Sequence, residues 1–337
     1  MLSYIITVSR HDSRTVVKHP VLQRLEKDLP GVMRNARATN TLKVYDAAWQ
    51  RWIKWATPFH EVCVCPADPY MIALYMLKVG AATQSVSMIL HTVQAIAWGH
   101  SMRGFESPTL SVWVREVVNG LKRKYSQVRK SKEPLSLNKL IEIMSLCNKK
   151  SLTDLRNTCC MVLGFFVFLR CEEILGIKRN HMVFHDTHLE IVLPNSKTDK
   201  LRQGNRVLIA KLHDSHCPVT FVNLYLASTK IKDTEQKFIF RRIVTANSHQ
   251  FLTLLDEPMK YGNLRDILAR KFEQVNLNPK LYGMHSLRAG GCSAVANKGI
   301  ADRLFQKHGR WASSASKDGY VTDSISKLLL VTKSLKK

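Results

Sequence analysis

Along most of the chain apolar residues return every three or four positions, the period of an amphipathic helix. Tyr45, Trp49, Trp52 and Ala56 keep that spacing, with Thr39 and Asn40 as candidate caps ahead of them. Ala48 and Ile53 share their face, so these aromatic rings are expected in a core rather than stacked on a ligand. Pro66 and Asp68 introduce a second helix, Pro69 to Val79; Gln84 to His100 form a third, and Pro108 opens a fourth that runs to about Leu121. Ser136 is placed to cap another, Leu137 to Cys147.

The period changes only between residues 182 and 210. There Met182 to Phe184, Leu189 to Leu193 and Arg206 to Ala210 alternate in the manner of short strands, the only convincing β region. Helical spacing returns in Pro218 to Ala227 and Tyr261 to Val275. It continues in Leu287 with Ser293, Ala294 and Val295, in Ile300 with Leu304 and Phe305, and in the tail at Ile325, Leu328, Leu329 and Leu335. The expected fold is therefore mainly α with a small antiparallel β-sheet, in a chain of 337 residues that can build two cores. The apolar run Cys159 to Leu169 is eleven residues long. It falls short of the roughly 18 needed to span a bilayer, and reads as a core helix.

Charge narrows the choice of partner. The chain has 51 Lys plus Arg against 26 Asp plus Glu, a net +25, which favours a polyanion, most commonly nucleic acid. No amphipathic anchor or lipid signal points to a membrane. Part of the surplus sits in LKRKYSQVRKSKEP, which carries Lys122, Arg123, Lys124, Arg129, Lys130 and Lys132. Such a cluster can grip phosphates, act as a nuclear localisation signal, or be a solvated linker. Residues 1–15 read as a disordered arm. The eight cysteines are scattered, several within apolar helical patterns, which suggests buried thiols in a reducing compartment; Cys63 and Cys65 lack a second pair for zinc.

The candidate chemistry lies in GMHSLRAGGCSAVANKGIADRLFQKHGRWASSASKDGYV, residues 283–321. It holds His285-x-x-Arg288, then Trp311, then Tyr320 nine residues later. A phenol can attack a phosphodiester, a guanidinium can bind its oxygens, and an imidazole can move protons. Upstream, FLRCEEILGI places Glu173 one helical turn after Arg170, which by itself describes a surface ion pair.

HSLRAGG, HGRW and KDGYV together resemble the C-terminal signature of the tyrosine recombinases, the phage integrase family. The resemblance implies a two-domain, C-shaped DNA clamp with the tyrosine recombinase catalytic fold. TNTLKVYDAAWQRWIKWA and LHTVQAIAWGHSMRGFESP are similar to the family's SAM-like core-binding domain, which implies such a DNA-binding domain over 16–125, a basic linker over 126–134 and a catalytic domain over 135–337. It implies Tyr320 as nucleophile, with Arg170 and Arg288 on the non-bridging oxygens, Trp311 on the same phosphate and His285 as acid/base. Glu173 would orient His285 or an arginine. In the hairpin NSKTDKLRQGN, Lys197 matches the family's catalytic lysine, with Lys200 as the alternative and Arg202 as a further DNA contact. His308 is expected to be structural or to contact backbone.

The product implied is a 3′-phosphotyrosyl link, made without ATP or a catalytic metal, and no cofactor is expected. The partners implied are double-stranded DNA and three further copies of the chain on paired sites. A catalytically silent DNA-binding protein of the same fold and a type IB topoisomerase are the competing readings. The tail also resembles recombinases of eukaryotic mobile elements, the DIRS-type retroelements and Cryptons. Localisation would then be nuclear, or cytoplasmic in a prokaryote.

Overall fold

The structure is a computed structural model that describes residues 17–127, 131–194 and 204–335. The expected arm over 1–15 and the candidates Arg129, Lys130, Lys197, Lys200 and Arg202 lie outside the described residues. The chain divides into two compact units, Met1–Arg129 and Lys130–Lys337.

The N-terminal unit is helical: α1 Pro20–Asn35, α2 Thr39–Ala56, α3 Pro69–Thr83, α4 Val86–Ser101, a 3₁₀ turn Pro108–Leu110 and α5 Val112–Tyr125. Its core gathers Trp49, Trp52, Ile72, Tyr75, Met76, Ile89, Ile96, Val114 and Val118, all buried. The helical spacing of the α2 aromatics thus does mark the core face. Boundaries differ from expectation: Pro108 opens only the 3₁₀ turn, and α5 starts at Val112 and runs on to Tyr125. Thr39 and Asn40 form the first turn of α2 rather than its cap, because the chain turns helical after Ala38, whose extended backbone (ψ 144°) occupies the cap position without a side-chain acceptor. Gln84 ends α3 in the left-handed region (φ 47°), and Ser85 caps α4 through the Met88 amide.

The C-terminal unit contains α6 Leu137–Ser145, α7 Leu152–Phe166, α8 Cys171–Leu175, a 3₁₀ turn Arg179–His181, β1 Met182–Phe184, β2 His188–Leu193, β3 Asn205–Ala210, α9 Pro218–Thr229, β4 Ile243–Ala246, β5 His249–Leu252, α10 Tyr261–Gln274, α11 Met284–Asn297, α12 Asp302–Gly309, α13 Ser314–Asp318 and α14 Ile325–Ser334. Ser136 caps α6 by accepting from the Lys139 amide. β1, β2 and β3 form an antiparallel sheet in that order, with Ile191 opposite Met182 on one side and Val207 on the other.

Two features depart from the sequence reading. The apolar run does not stay helical to Leu169: α7 ends at Phe166, and Phe168 takes a left-handed backbone (φ 52°) that turns the chain into α8. A second hairpin, β4–β5, joins through Asn247 and Ser248, both with positive φ. It was missed because most of its residues are exposed, so no apolar alternation marks it.

Helix α7 is the centre of this unit. Cys159, Cys160, Met161, Val162 and Leu163 are fully buried, and α9 and α11 pack on it. The close approach of α11 explains the Gly-Gly pair in HSLRAGG. A Cβ at Gly290 would lie 2.0 Å from the Leu135 carbonyl oxygen, and one at Gly291 2.1 Å from that of Phe165. The end of the expected linker is also tied into this unit. The Glu133 amide donates to Leu281 O (2.8 Å), the Leu135 amide to Ser286 O (2.9 Å), and Lys132 Nζ to Lys280 O (2.5 Å).

Candidate active site

The site forms around the C-terminal end of α7. A helix leaves its last carbonyls unpaired and carries partial negative charge there, so cations are stabilised at that end. Three side chains from distant sequence use it. His308 donates from Nε2 to Phe166 O (2.8 Å), the backbone contact expected of it. Arg310 donates from Nη1 to Val167 O (3.1 Å) and from Nη2 to Phe168 O (3.2 Å). Arg288 also donates from Nη1 to Phe168 O, and from Nη2 to Gly309 O (2.9 Å).

Arg170 caps the short helix α8. Its amide donates to Glu173 Oε2 (2.7 Å) and its Nη1 to Glu173 Oε1 (2.9 Å). This pair is not a surface one, since the Glu173 side chain is 4% exposed. Glu173 also accepts from Arg310 Nη2 (3.1 Å), so the carboxylate is held between two guanidiniums. Arg310 is the residue that sequence reasoning missed. It stands inside the quoted HGRW motif, at the C-cap of α12 with φ 57° and ψ 42°. Glycine is the usual occupant of such a cap, and an arginine there was the available signal.

Helix α11 presents His285, exposed, and one turn later Arg288, which is 1% exposed. The Arg288 guanidinium lies 4.7 Å from the Trp311 ring centre and 4.7 Å from that of Tyr320. The rings of Trp311 and Tyr320 are 5.9 Å apart, and those of His285 and Tyr320 6.5 Å. Four of the predicted residues therefore meet in one cluster, with Arg170 joined to it through Glu173 and Arg310. Burial, with the charges of Arg170 and Arg310 nearby, brings the Arg288 pKa down to about 10, so it stays cationic at neutral pH. Two buried donors, Arg288 Nε and Trp311 Nε1, have no hydrogen-bond partner among the described residues. Buried polar groups are nearly always paired, and these two sit beside the phenol.

The tyrosine is delivered by α13. Lys317, buried, pairs with Asp302 at the start of α12 and with Asp318 (3.4 Å), fixing one short helix on the other. Beyond Tyr320, the Thr322 amide donates to Ser293 Oγ (2.9 Å) and Asn297 Nδ2 to Thr322 O (3.1 Å), which holds the segment against α11. Three guanidiniums linked through one carboxylate and the Phe168 carbonyl, with Arg288 against a half-buried phenol, form a site suited to an anionic ester.

The expected basic contacts are less uniform. Arg123 and Lys124 end α5 exposed, with Lys122 partly covered, whereas Lys132 is exposed and gives one of its three ammonium hydrogens to the Lys280 carbonyl.

No family model matches the chain. Solved structures share its fold. The Tn1549 transposon integrase in complex with transposon right end DNA superposes with a TM-score of 0.59 at 13% identity, covering 94% of this chain and 99% of that one. The XerH site-specific recombinase bound to palindromic difH substrate, in a post-cleavage complex, gives 0.58 at 13% identity, over 88% of this chain and 80% of its own. A lambda integrase dimer bound to a COC′ core site gives 0.54 at 14%, over 91% and 82%. By sequence, an integrase/recombinase xerD homolog from Selenomonas ruminantium is 24% identical over 335 residues, 95% of each protein. Fold and end-to-end likeness agree with the chemistry of the cluster. The chain has the tyrosine recombinase fold, and it is similar from end to end to a XerD-like integrase/recombinase.

Proposed function

We propose that the chain is a site-specific DNA recombinase in which Tyr320 attacks the scissile phosphate, leaving a 3′-phosphotyrosyl link and a free 5′-hydroxyl. The observation that carries this reading is the Tyr320 ring 4.7 Å from the Arg288 guanidinium of the same chain. The same proximity supports cleavage in cis. A free tyrosine, with a pKa near 10, is ionised in about one molecule in a thousand at neutral pH, so attack needs assistance. His285, beside the phenol, takes its proton. Arg170, Arg288 and the Trp311 indole stabilise the charge that builds on the non-bridging oxygens. Glu173 holds Arg170, and Lys197, or Lys200 in the same hairpin, protonates the departing 5′-oxygen. Rejoining reverses these steps with a new 5′-hydroxyl, and the bond energy kept in the phosphotyrosine removes any need for ATP.

Double-stranded DNA is the partner that a +25 chain suits, with Lys122, Arg123, Lys124, Arg129, Lys130, Lys132 and Arg202 contributing phosphate contacts. The domain limits carry over from the sequence: a core-binding domain over 16–125, a connector over 126–134 and a catalytic domain over 135–337. The working form is a tetramer on paired sites. Helix α14 supports this, since it buries none of its residues and exposes Ile325, Leu328, Leu329, Leu330 and Val331. A largely apolar cavity of about 360 Å³, lined by Phe165, Phe166, Ala294, Val295, Leu304 and Phe305 among others, is a seat for such a helix from a second copy. The resemblance of the tail to mobile-element recombinases supports that origin, with action in the nucleus of a eukaryotic host or the cytoplasm of a prokaryotic one.

The test begins with the duplexes that the protein retains from a randomised library. A nicked version of the selected duplex should trap a covalent adduct, and mass spectrometry should place the nucleotide on Tyr320. Retention without an adduct would identify a silent DNA-binding protein. Relaxation of supercoiled plasmid without sequence preference would identify a topoisomerase. Light scattering of the complex on paired sites should give four chains, and Leu328→Asp should lower that number.

A further inference from the structure

The residue that the proposed chemistry leaves without a task is Arg310. It is 6% exposed and its two terminal nitrogens carry four bonds: Nη1 to Val167 O (3.1 Å) and His308 O (3.0 Å), Nη2 to Phe168 O (3.2 Å) and Glu173 Oε2 (3.1 Å). A guanidinium so engaged is not the group that grips a substrate phosphate. Its backbone sits in the left-handed region, where glycine is the easier choice, so the side chain must return something for the strain. Across Glu173 lies Arg170, whose side chain is 18% exposed against 2% for that of Arg310, so of the two cations it is the more accessible.

We propose that Arg310 is a positioning residue that acts through Glu173 on Arg170. The buried carboxylate carries one negative charge and is shared by two cations. With Arg310 neutralising it from behind, Arg170 is oriented by Glu173 and yet keeps its charge for the scissile phosphate. Without Arg310, Glu173 would pair with Arg170 alone, and the attraction offered to the phosphate would fall. Arg288 would be left to supply most of the remaining positive charge.

This role rests on the phosphodiester cleavage proposed above, and the experiment separates the two. Single-turnover adduct formation is measured on the selected nicked duplex, and on the same duplex with a methylphosphonate at the scissile position. The methyl group replaces one charged oxygen, so the demand for guanidinium charge falls while the geometry of attack is kept. Arg310→Gly deletes the side chain and relaxes the backbone. We expect it to slow cleavage of the phosphate at least about tenfold, and that of the methylphosphonate by less than about threefold. Arg310→Lys, the second variant should the glycine form lose DNA retention, should show the same sparing. In a Glu173→Gln background Arg310→Gly should add less than about twofold, since both act on one link. Equal slowing on the two substrates, no slowing, or full additivity with Glu173→Gln would overturn the assignment. Absence of an adduct in the unaltered protein would instead sink the cleavage reading and this role with it.

Discussion

In the N-terminal unit the buried groups are rings and aliphatic chains: Trp49, Trp52, Tyr75 and their neighbours, with His100 as a buried histidine satisfied on both nitrogens. Around Tyr320 the buried groups are charges: Arg288 and Arg310, held on the carbonyls that end α7, and Glu173, held by Arg310. The first region gains stability from burying apolar area, which is forgiving of partner identity. The second accepts the cost of desolvating ions, which is offset only where geometry pairs every one of them. Shape keeps one region folded; charge keeps the other ready for an anion.

That contrast can be broken by separating stability from chemistry. The largest effect should come from Tyr320→Phe, which removes one oxygen at a half-buried position: adduct formation on the nicked duplex should disappear while DNA retention stays near normal. Next, Trp49→Ala should cost about 3–5 kcal/mol of stability in the N-terminal unit, as large aromatic deletions do. Denaturant unfolding should reveal that loss, yet molecules that remain folded and bound should cleave at the normal rate. Arg170→Ala should behave in the opposite sense. Removing a donor aimed at developing charge costs about 2.7–4 kcal/mol of transition-state stabilisation, a factor of 10² to 10³ in rate. Because Arg170 is the outer partner of Glu173, the melting transition should move far less than with Trp49→Ala. A cleavage defect in Trp49→Ala, or a normal rate in Arg170→Ala, would erase the distinction.

The same contrast sets what could be read from the sequence. The three-stranded sheet was legible to within one residue at each strand start, because its apolar alternation follows from burial of one face. The mainly helical fold was legible for the same reason, and the relatives share it. The grouping of His285, Arg288, Trp311 and Tyr320 was legible as a motif within one 39-residue stretch, residues 283–321. Periodicity has no term for a side chain that bonds to backbone, however. Arg310 reaches carbonyls 142 and 143 positions away, and only the folded path of the chain makes those bonds visible. The end of α7 was hidden likewise, since Val167, Phe168 and Leu169 are as apolar as the helix before them and equally buried. The strands β4 and β5 escaped because exposed residues carry no pattern to follow.

The smallest predicted effect tests whether the two regions differ in acid. Burial lowers the pKa of His100 in one unit and of His308 in the other, with Arg103 adding to the effect at the first and Arg310 and Arg288 at the second. In each case the unfolded chain binds a proton more readily than the folded one, so stability must fall as pH drops below the ordinary value of 6.5. The consequences at the two rings are unequal. His100 Nε2 accepts from the Ala67 amide (3.0 Å) while Nδ1 donates to Ile96 O (2.8 Å), so a proton on Nε2 sets two donors against each other. His308 donates to Phe166 O and can keep that bond when protonated, adding only a charge among arginines. The N-terminal unit should therefore weaken first, with a slope no steeper than about 1.4 kcal/mol per pH unit for a single proton. Trp49, Trp52, Trp55, Trp98 and Trp113 lie in that unit and Trp311 in the other, so tryptophan fluorescence during urea unfolding chiefly follows it. His100→Gln, whose amide can still accept from Ala67, should flatten the acid limb of that transition. An unchanged limb in His100→Gln, with a flattened one in His308→Gln, would place the acid-sensitive joint in the charged region instead.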